Sequence, residues 1–202
     1  SDAIESWATI TTITVNTTND TVDVNPGDGI VADSIGNVSL RAAIMEANAL
    51  SGDDTIVVPA GNYAFTIGGV GENSAATGDL DITETTGSLT IVGAGAGLTV
   101  IDAQSLERVF HVLGGATLNL EGVTVTGGLV TASEDGGGIR NDGGRVVISD
   151  TVVTGNVSQD DAGGINNTGD LTLTRVTVSD NSASRTGGCI LNAGNLTINA
   201  ST

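Results

Sequence analysis

"GGINNTGDLTLTRVTVSDN", residues 163–181, restates a phrase that the chain has already used at 137–156, "GGIRNDGGRVVISDTVVTGN", and uses again at 187–199, "GGCILNAGNLTIN". Aligned, the copies form columns. Leu118, Val146, Leu171 and Leu196 make one, with steps of 28, 25 and 25; Leu120, Ile148, Leu173 and Ile198 make a second with the same steps. Val125, Val153 and Val178 form a third column, and Ile139, Ile165 and Ile190 a fourth. Within each copy the apolar residues alternate with polar ones, as in "LTLT" (171–174) and "VTVS" (176–179), and a period of two means strand.

A unit of roughly 25 residues made of such short strands cannot bury its own apolar face, so its neighbours must do so. The architecture that satisfies this is a coil in which each turn hydrogen-bonds to the turns above and below at about 4.8 Å, with the aliphatic residues inside. The predicted fold is therefore all-β, a parallel β-helix. Looser copies at 53–67, 78–83, 87–103 and 108–128, counted from "ATITTITV" (8–15), give about seven coils and a body of roughly 35 Å.

Corner residues recur with the same spacing. Asn141, Asn167 and Asn192 follow the isoleucine column by two residues, and Gly143, Gly169 and Gly194 follow two residues later. Stacked asparagines hydrogen-bond to their equivalents one coil away, and glycine accepts the positive φ of a sharp corner. Asn156 and Asn181 are placed for a second ladder. These ladder positions are read as structural, not as ligand sites.

The segment "VSLRAAIMEANAL" (38–50) departs from the β pattern. Ser39 is a plausible N-cap, and Leu40, Ile44 and Ala47 share one helical face. A helix near 39–50 is expected to cover the first rung, because an open coil end is an unprotected sheet edge. The expected organisation is one domain over 1–202, with an N-terminal strand and capping-helix region (1–52) before the coils (53–202). The last copy stops within a coil, which suggests the N-terminal part of a longer protein.

Composition bounds the partners. Thirty Gly, two Pro and 2% aromatic residues leave a core of small aliphatic side chains, which favours strands. Six Arg, no Lys and 24 acidic residues give a net charge of −18, a surface that repels nucleic acid and anionic lipid. No apolar run approaches the roughly 18 residues of a membrane span, so no direct membrane insertion is expected of this segment. The acidic residues are scattered and form no D-x-D-x-D-G loop. They are read as solubility charge, with calcium the one cation entertained, at Asp160 and Asp161. The single Cys189 excludes internal disulfides and, standing where the sibling copies have Gly138 and Gly164, is read as a small packed side chain.

"NVSLRAAIMEAN" (37–48), "DTIVVPAGNY" (54–63), "GDLDI" (78–82) and "GAGAGLTVID" (93–102) together resemble the opening motifs of CSLREA-type bacterial proteins, with Val38 where that motif has Cys and Ala42 where it has Glu. The "GGGI", "GGI" and "GGCI" stretches with their following Asn are similar to the repeats of polymorphic outer-membrane proteins. The resemblance implies a right-handed parallel β-helix, an extracellular or cell-surface location and an adhesive or structural role. It implies no catalytic residue and no cofactor. The partners it suggests are a surface receptor, a polysaccharide or a neighbouring protein subunit.

Two other classes compete with that role. A polysaccharide lyase or glycoside hydrolase on the coil face would draw on "IDAQSLERVFHV" (101–112), with Asp102, Glu107, Arg108 and His111. Alternation turns His111 outward, where it is read as a surface residue. Three carboxylates grouped on one face opposite an Arg would favour the enzyme. An ice-binding array of outward Thr172, Thr177 and Thr197 is interrupted by Asn119, Val147 and Val152. End-to-end assembly into a filament is a further expectation from the open last coil.

Overall fold

The computed structural model describes residues 12–131 and 134–202; of the first expected strand, residues 8–11 lie outside the described residues. The chain winds as a parallel β-solenoid with three principal sheets. The first holds seven strands in the order Ile13–Thr14, Asp54–Val58, Leu89–Gly93, Thr117–Glu121, Arg145–Ser149, Asp170–Thr174 and Asn195–Asn199. The second stacks Gly61–Ala64, Thr99–Asp102, Thr124–Thr126, Val152–Thr154 and Thr177–Ser179. The third stacks Leu80–Ile82, Phe110–Val112, Ile139–Asn141, Ile165–Asn167 and Ile190–Asn192. A short fourth sheet of three two-residue strands begins at Leu129–Val130. Among the described residues only the first sheet reaches seven rungs. The number of complete turns described is smaller than the seven expected, because among these residues the first and last rungs have no counterpart in the other two sheets.

The aliphatic columns lie in register as the spacing requires. Leu120 pairs with Ile148, Ile148 with Leu173 and Leu173 with Ile198. The first three are essentially inaccessible, whereas Ile198, on the last rung, is 53% exposed. One continuous apolar cluster runs the length of the coil from Ile13 to Val176, with Leu196 packed against it. Each such side chain contributes about 1.5–3 kcal/mol on burial, and no single turn could supply that alone.

The helix forms over Leu40–Ala49, and its cap is Ser39, whose Oγ accepts from the Ala42 N–H. Leu40, Ile44 and Ala47 are buried as expected. Its polar residues hold the end of the solenoid. Buried Arg41 donates to Asp20 at 2.6 Å and to the carbonyls of Ala75 and Gly78, over the Phe65 ring. Asp20 in turn accepts from the N–H groups of Thr66 and Ile67, and Glu46 accepts from those of Gly27 and Gly29. The Asn48 amide donates to the Asp81 carbonyl at 2.8 Å and accepts from Thr83 N–H at 2.9 Å. Since Leu80–Ile82 is the outermost strand of the third sheet, this side chain occupies the place of one further strand and satisfies the edge.

The corners differ from the expectation in one detail. Of Gly143, Gly169 and Gly194, only Gly143 has a positive φ, at 83°. The pairing of Arg145 with Asp170 and Asn195 puts Gly144, not Gly143, in the column of Gly169 and Gly194; the first copy carries one extra residue at this corner. A Cβ on Gly169 would stand 2.1 Å from the Gly144 carbonyl oxygen, so close stacking fixes glycine there. The left-handed corner conformation falls elsewhere, at Gly122, Asp150, Arg175 and Ala200, with φ between 48° and 67°.

Candidate functional site

On the third sheet, outward and inward positions alternate along each strand. Outward lies the column Asp81, His111, Arg140 and Asn166, and inward at the corner lies Ile82, Val112, Asn141 and Asn167. The inward asparagines form the expected ladder. Asn141 Nδ2 donates to Asn167 Oδ1 at 2.7 Å, and Asn167 Nδ2 to Asn192 Oδ1 at 2.6 Å, while each Nδ2 also meets a corner carbonyl. Asn156 and Asn181 make the second ladder, Nδ2 to Oδ1 at 2.9 Å. The column Ile139, Ile165 and Ile190 is in register beside them. These eight residues hold the coil together, and all are covered but Asn192 on the last rung of the sheet, which is exposed.

The outward column is less regular, and it and the residues beside it hold five buried charged or titratable side chains: Asp79, Asp81, Glu107, Arg108 and His111. Asp81 lies opposite His111 on the adjacent strand, and Asp81 Oδ1 is 3.3 Å from His111 Nδ1. Arg108 donates from Nη1 to Asp79 Oδ2 at 2.8 Å and from Nη2 to Glu134 Oε2 at 2.9 Å. Glu107 stands beside this pair and is buried too. Three carboxylates, of Asp79, Glu107 and Glu134, thus share one guanidinium. Burial and the neighbouring Asp81 push Asp79 up to about 6 despite Arg108. Burial, opposed by Arg108, pushes Glu107 up to about 7. Desolvation disfavours the ionised form in each case.

Of the expected constellation, the fold brings together Glu107, Arg108 and His111 and leaves Asp102 out. Asp102 lies in the second sheet and accepts from Gln104 in a local turn. His111 points out of its strand as alternation requires, but it is not a surface residue: it is 9% exposed. The connection leading into Leu80–Ile82 packs over this face, where Ala75 N–H donates to Asp81 Oδ2. Asp79 and Asp81 are the members that sequence reasoning missed. Aligning "GDLDIT" on "RVFHVL" by their inward residues would have set Asp81 against His111.

The other positions read from sequence have ordinary surroundings. Asp160 and Asp161 meet Asp135 at the loop corner, but the next turn already engages them. Arg185 donates to Asp160, and Thr186 donates to Asp161 from both backbone and hydroxyl. The Thr186 hydroxyl is the main cause holding the Asp161 carboxyl below its usual range. Thr172 and Thr197 lie in line with Val147 and Asn119, so the threonine array is interrupted as expected. Cys189 is exposed, not packed. Its sibling Gly164 is covered by the following turn, where a Cβ would lie 2.3 Å from the Cys189 carbonyl oxygen; no turn covers Cys189 itself among the described residues.

No protein-family model, no curated protein and no solved structure matches the chain. Among the described residues no helix is long and apolar enough to cross a membrane.

Proposed function

We propose that this chain is a non-catalytic, extracellular β-helix rod of a cell-surface or secreted protein, with an adhesive or structural role. The observation that carries this reading is the burial of the grouped charges: Asp79, Asp81, Glu107, Arg108 and His111 are each 9% exposed or less. A polysaccharide-cleaving site needs its acid, base and cation open to a long substrate. These groups are held under the loop that leads into Leu80–Ile82, where Ala75 N–H meets Asp81. What the molecule offers outward is the acidic side of a stiff coil, on which a receptor, a polysaccharide or a neighbouring subunit can lie. The resemblance in the opening motifs points the same way.

The test incubates the intact chain with pectate, alginate and neutral glycans, and follows both unsaturated product and retention on the same polysaccharides immobilised. A rod gives no product under any condition, and its coil resists protease. Turnover that vanishes in Glu107→Gln would replace this reading with the enzyme.

A further inference from the structure

Buried polar atoms in a folded protein are almost always hydrogen-bonded, and an orphan costs about 1–3 kcal/mol. Among the described residues four buried side-chain atoms have no partner, and three of them lie together: Asp81 Oδ1, Arg108 Nε and His111 Nε2. Asp81 is fully buried. Its Oδ2 accepts from Ala75 N–H, while its Oδ1 is aimed at the His111 ring without the geometry of a hydrogen bond. Asp79, which commits Oδ2 to Arg108, stands beside them. One donor atom from each of Asp79, Asp81 and His111 lies within 4.8 Å of the others.

We propose that Asp79, Asp81 and His111 bind one divalent transition-metal ion of the Zn²⁺ class, which clamps the two outermost strands of the third sheet. The donor set chooses the ion. Calcium takes six to eight oxygens and magnesium keeps its waters, whereas one imidazole with carboxylates at about 2.0–2.2 Å is a zinc-type set. Two carboxylates offset the charge of the ion. The β-ladder fixes Asp81 against His111 before any ion arrives. Arg108 on Asp79 and the Ala75 N–H on Asp81 orient the two acids from behind. Burial assigns the ion a structural role and leaves the rod reading intact.

A proton is the rival cation. An imidazolium between Asp81 and Asp142, whose Oδ2 is 4.0 Å from His111 Nε2, would satisfy some of the same atoms. His111 is the only histidine in the chain, so the two can be separated in the wild-type protein. The intact chain is stripped with chelator and titrated with Zn²⁺ and Co²⁺ at high salt, which screens loose binding to the acidic surface. Expected are one equivalent bound and visible ligand-field bands with Co²⁺. A change at a single ring nitrogen of His111 in the ¹⁵N spectrum with Zn²⁺ is expected too. A melting temperature raised by roughly 5–10 °C at about 100-fold excess over Kd follows from mass action. His111→Gln and Asp81→Asn should each abolish stoichiometric uptake, and Asp160→Asn with Asp161→Asn should leave it unchanged. No uptake by the stripped wild type, uptake surviving His111→Gln, or both ring nitrogens of His111 shifting together as in protonation, would overturn the site. Should a variant fail to fold, the wild-type nitrogen spectrum alone decides.

Discussion

The two faces of one sheet treat buried polarity in opposite ways. On the inner corner of the third sheet, Asn141, Asn167 and Asn192 are identical groups one turn apart, and each amide finds both a like neighbour and a corner carbonyl. On the outer face of the same and adjoining strands, Asp81, His111 and Arg140 follow one another in register, and two of the three neighbouring charged groups carry unmatched atoms. Repetition of one amide satisfies itself, because Asn is both donor and acceptor. Asp81, His111 and Arg140 are unlike groups that do not complement one another in this way, and Asp81 Oδ1 and His111 Nε2 are left unmatched.

Substitutions should separate the faces. The largest effect is expected at the ladder: Asn167→Ala removes the bonds to both Asn141 and Asn192 and the one to the Gly169 carbonyl, which costs about 2–4 kcal/mol in chemical denaturation. A loss below 0.5 kcal/mol would show that the ladder is ornament. Neutralising a buried acid should act in the other direction. Burial pushes Asp54 up to about 6 and Glu107 up to about 7. A raised carboxylate contributes stability that is fully present below its unfolded value and is lost as pH rises through its folded value. Unfolding in denaturant should therefore show the protein gaining stability as pH falls from 8 towards 5. Asp54→Asn should stabilise by about 1–2 kcal/mol at pH 8, with little effect at pH 4. Glu107→Gln should do likewise, with its gain disappearing below pH 5. Equal stability of both variants and wild type at pH 8 would mean that these acids are already relieved.

The smallest expected effect tests the corners. Asp180 holds a left-handed φ of 54° where the preceding turns have Gly127 and Gly155, at 70° and 68°. Asp180→Gly should stabilise by about 0.5–1 kcal/mol, the relief of Cβ strain less the added chain entropy. A thermal melt that falls would place some contact of Asp180 above that strain.

The sequence made the inner face legible because regular spacing carries its own proof. The columns through Leu120, Ile148 and Leu173 and both asparagine ladders could be aligned without any coordinates. The capping helix was visible through Ser39 and the apolar spacing behind it. The outer face was not legible, since its partners sit on degenerate early turns where no residue repeats. Asp81 meets His111 only once a register is chosen, and the loop that buries both contributes through a backbone N–H at Ala75, which no side-chain motif reveals. Cys189 was misjudged for a related reason: glycine at its sibling positions answers to the carbonyl of the next turn, and that constraint is invisible in the residue itself. Complete turns are fewer than the strands of the first sheet because a strand in one sheet does not imply strands in the other two.

Asn48 guards one pole of the solenoid. With an amide tethered to the helix standing in for a strand, the Leu80–Ile82 margin of its sheet is already spoken for. Any chain that pairs its backbone with the third sheet at that pole must first displace Asn48 from Asp81 and Thr83, so the helix works as a plug against edge-to-edge association there.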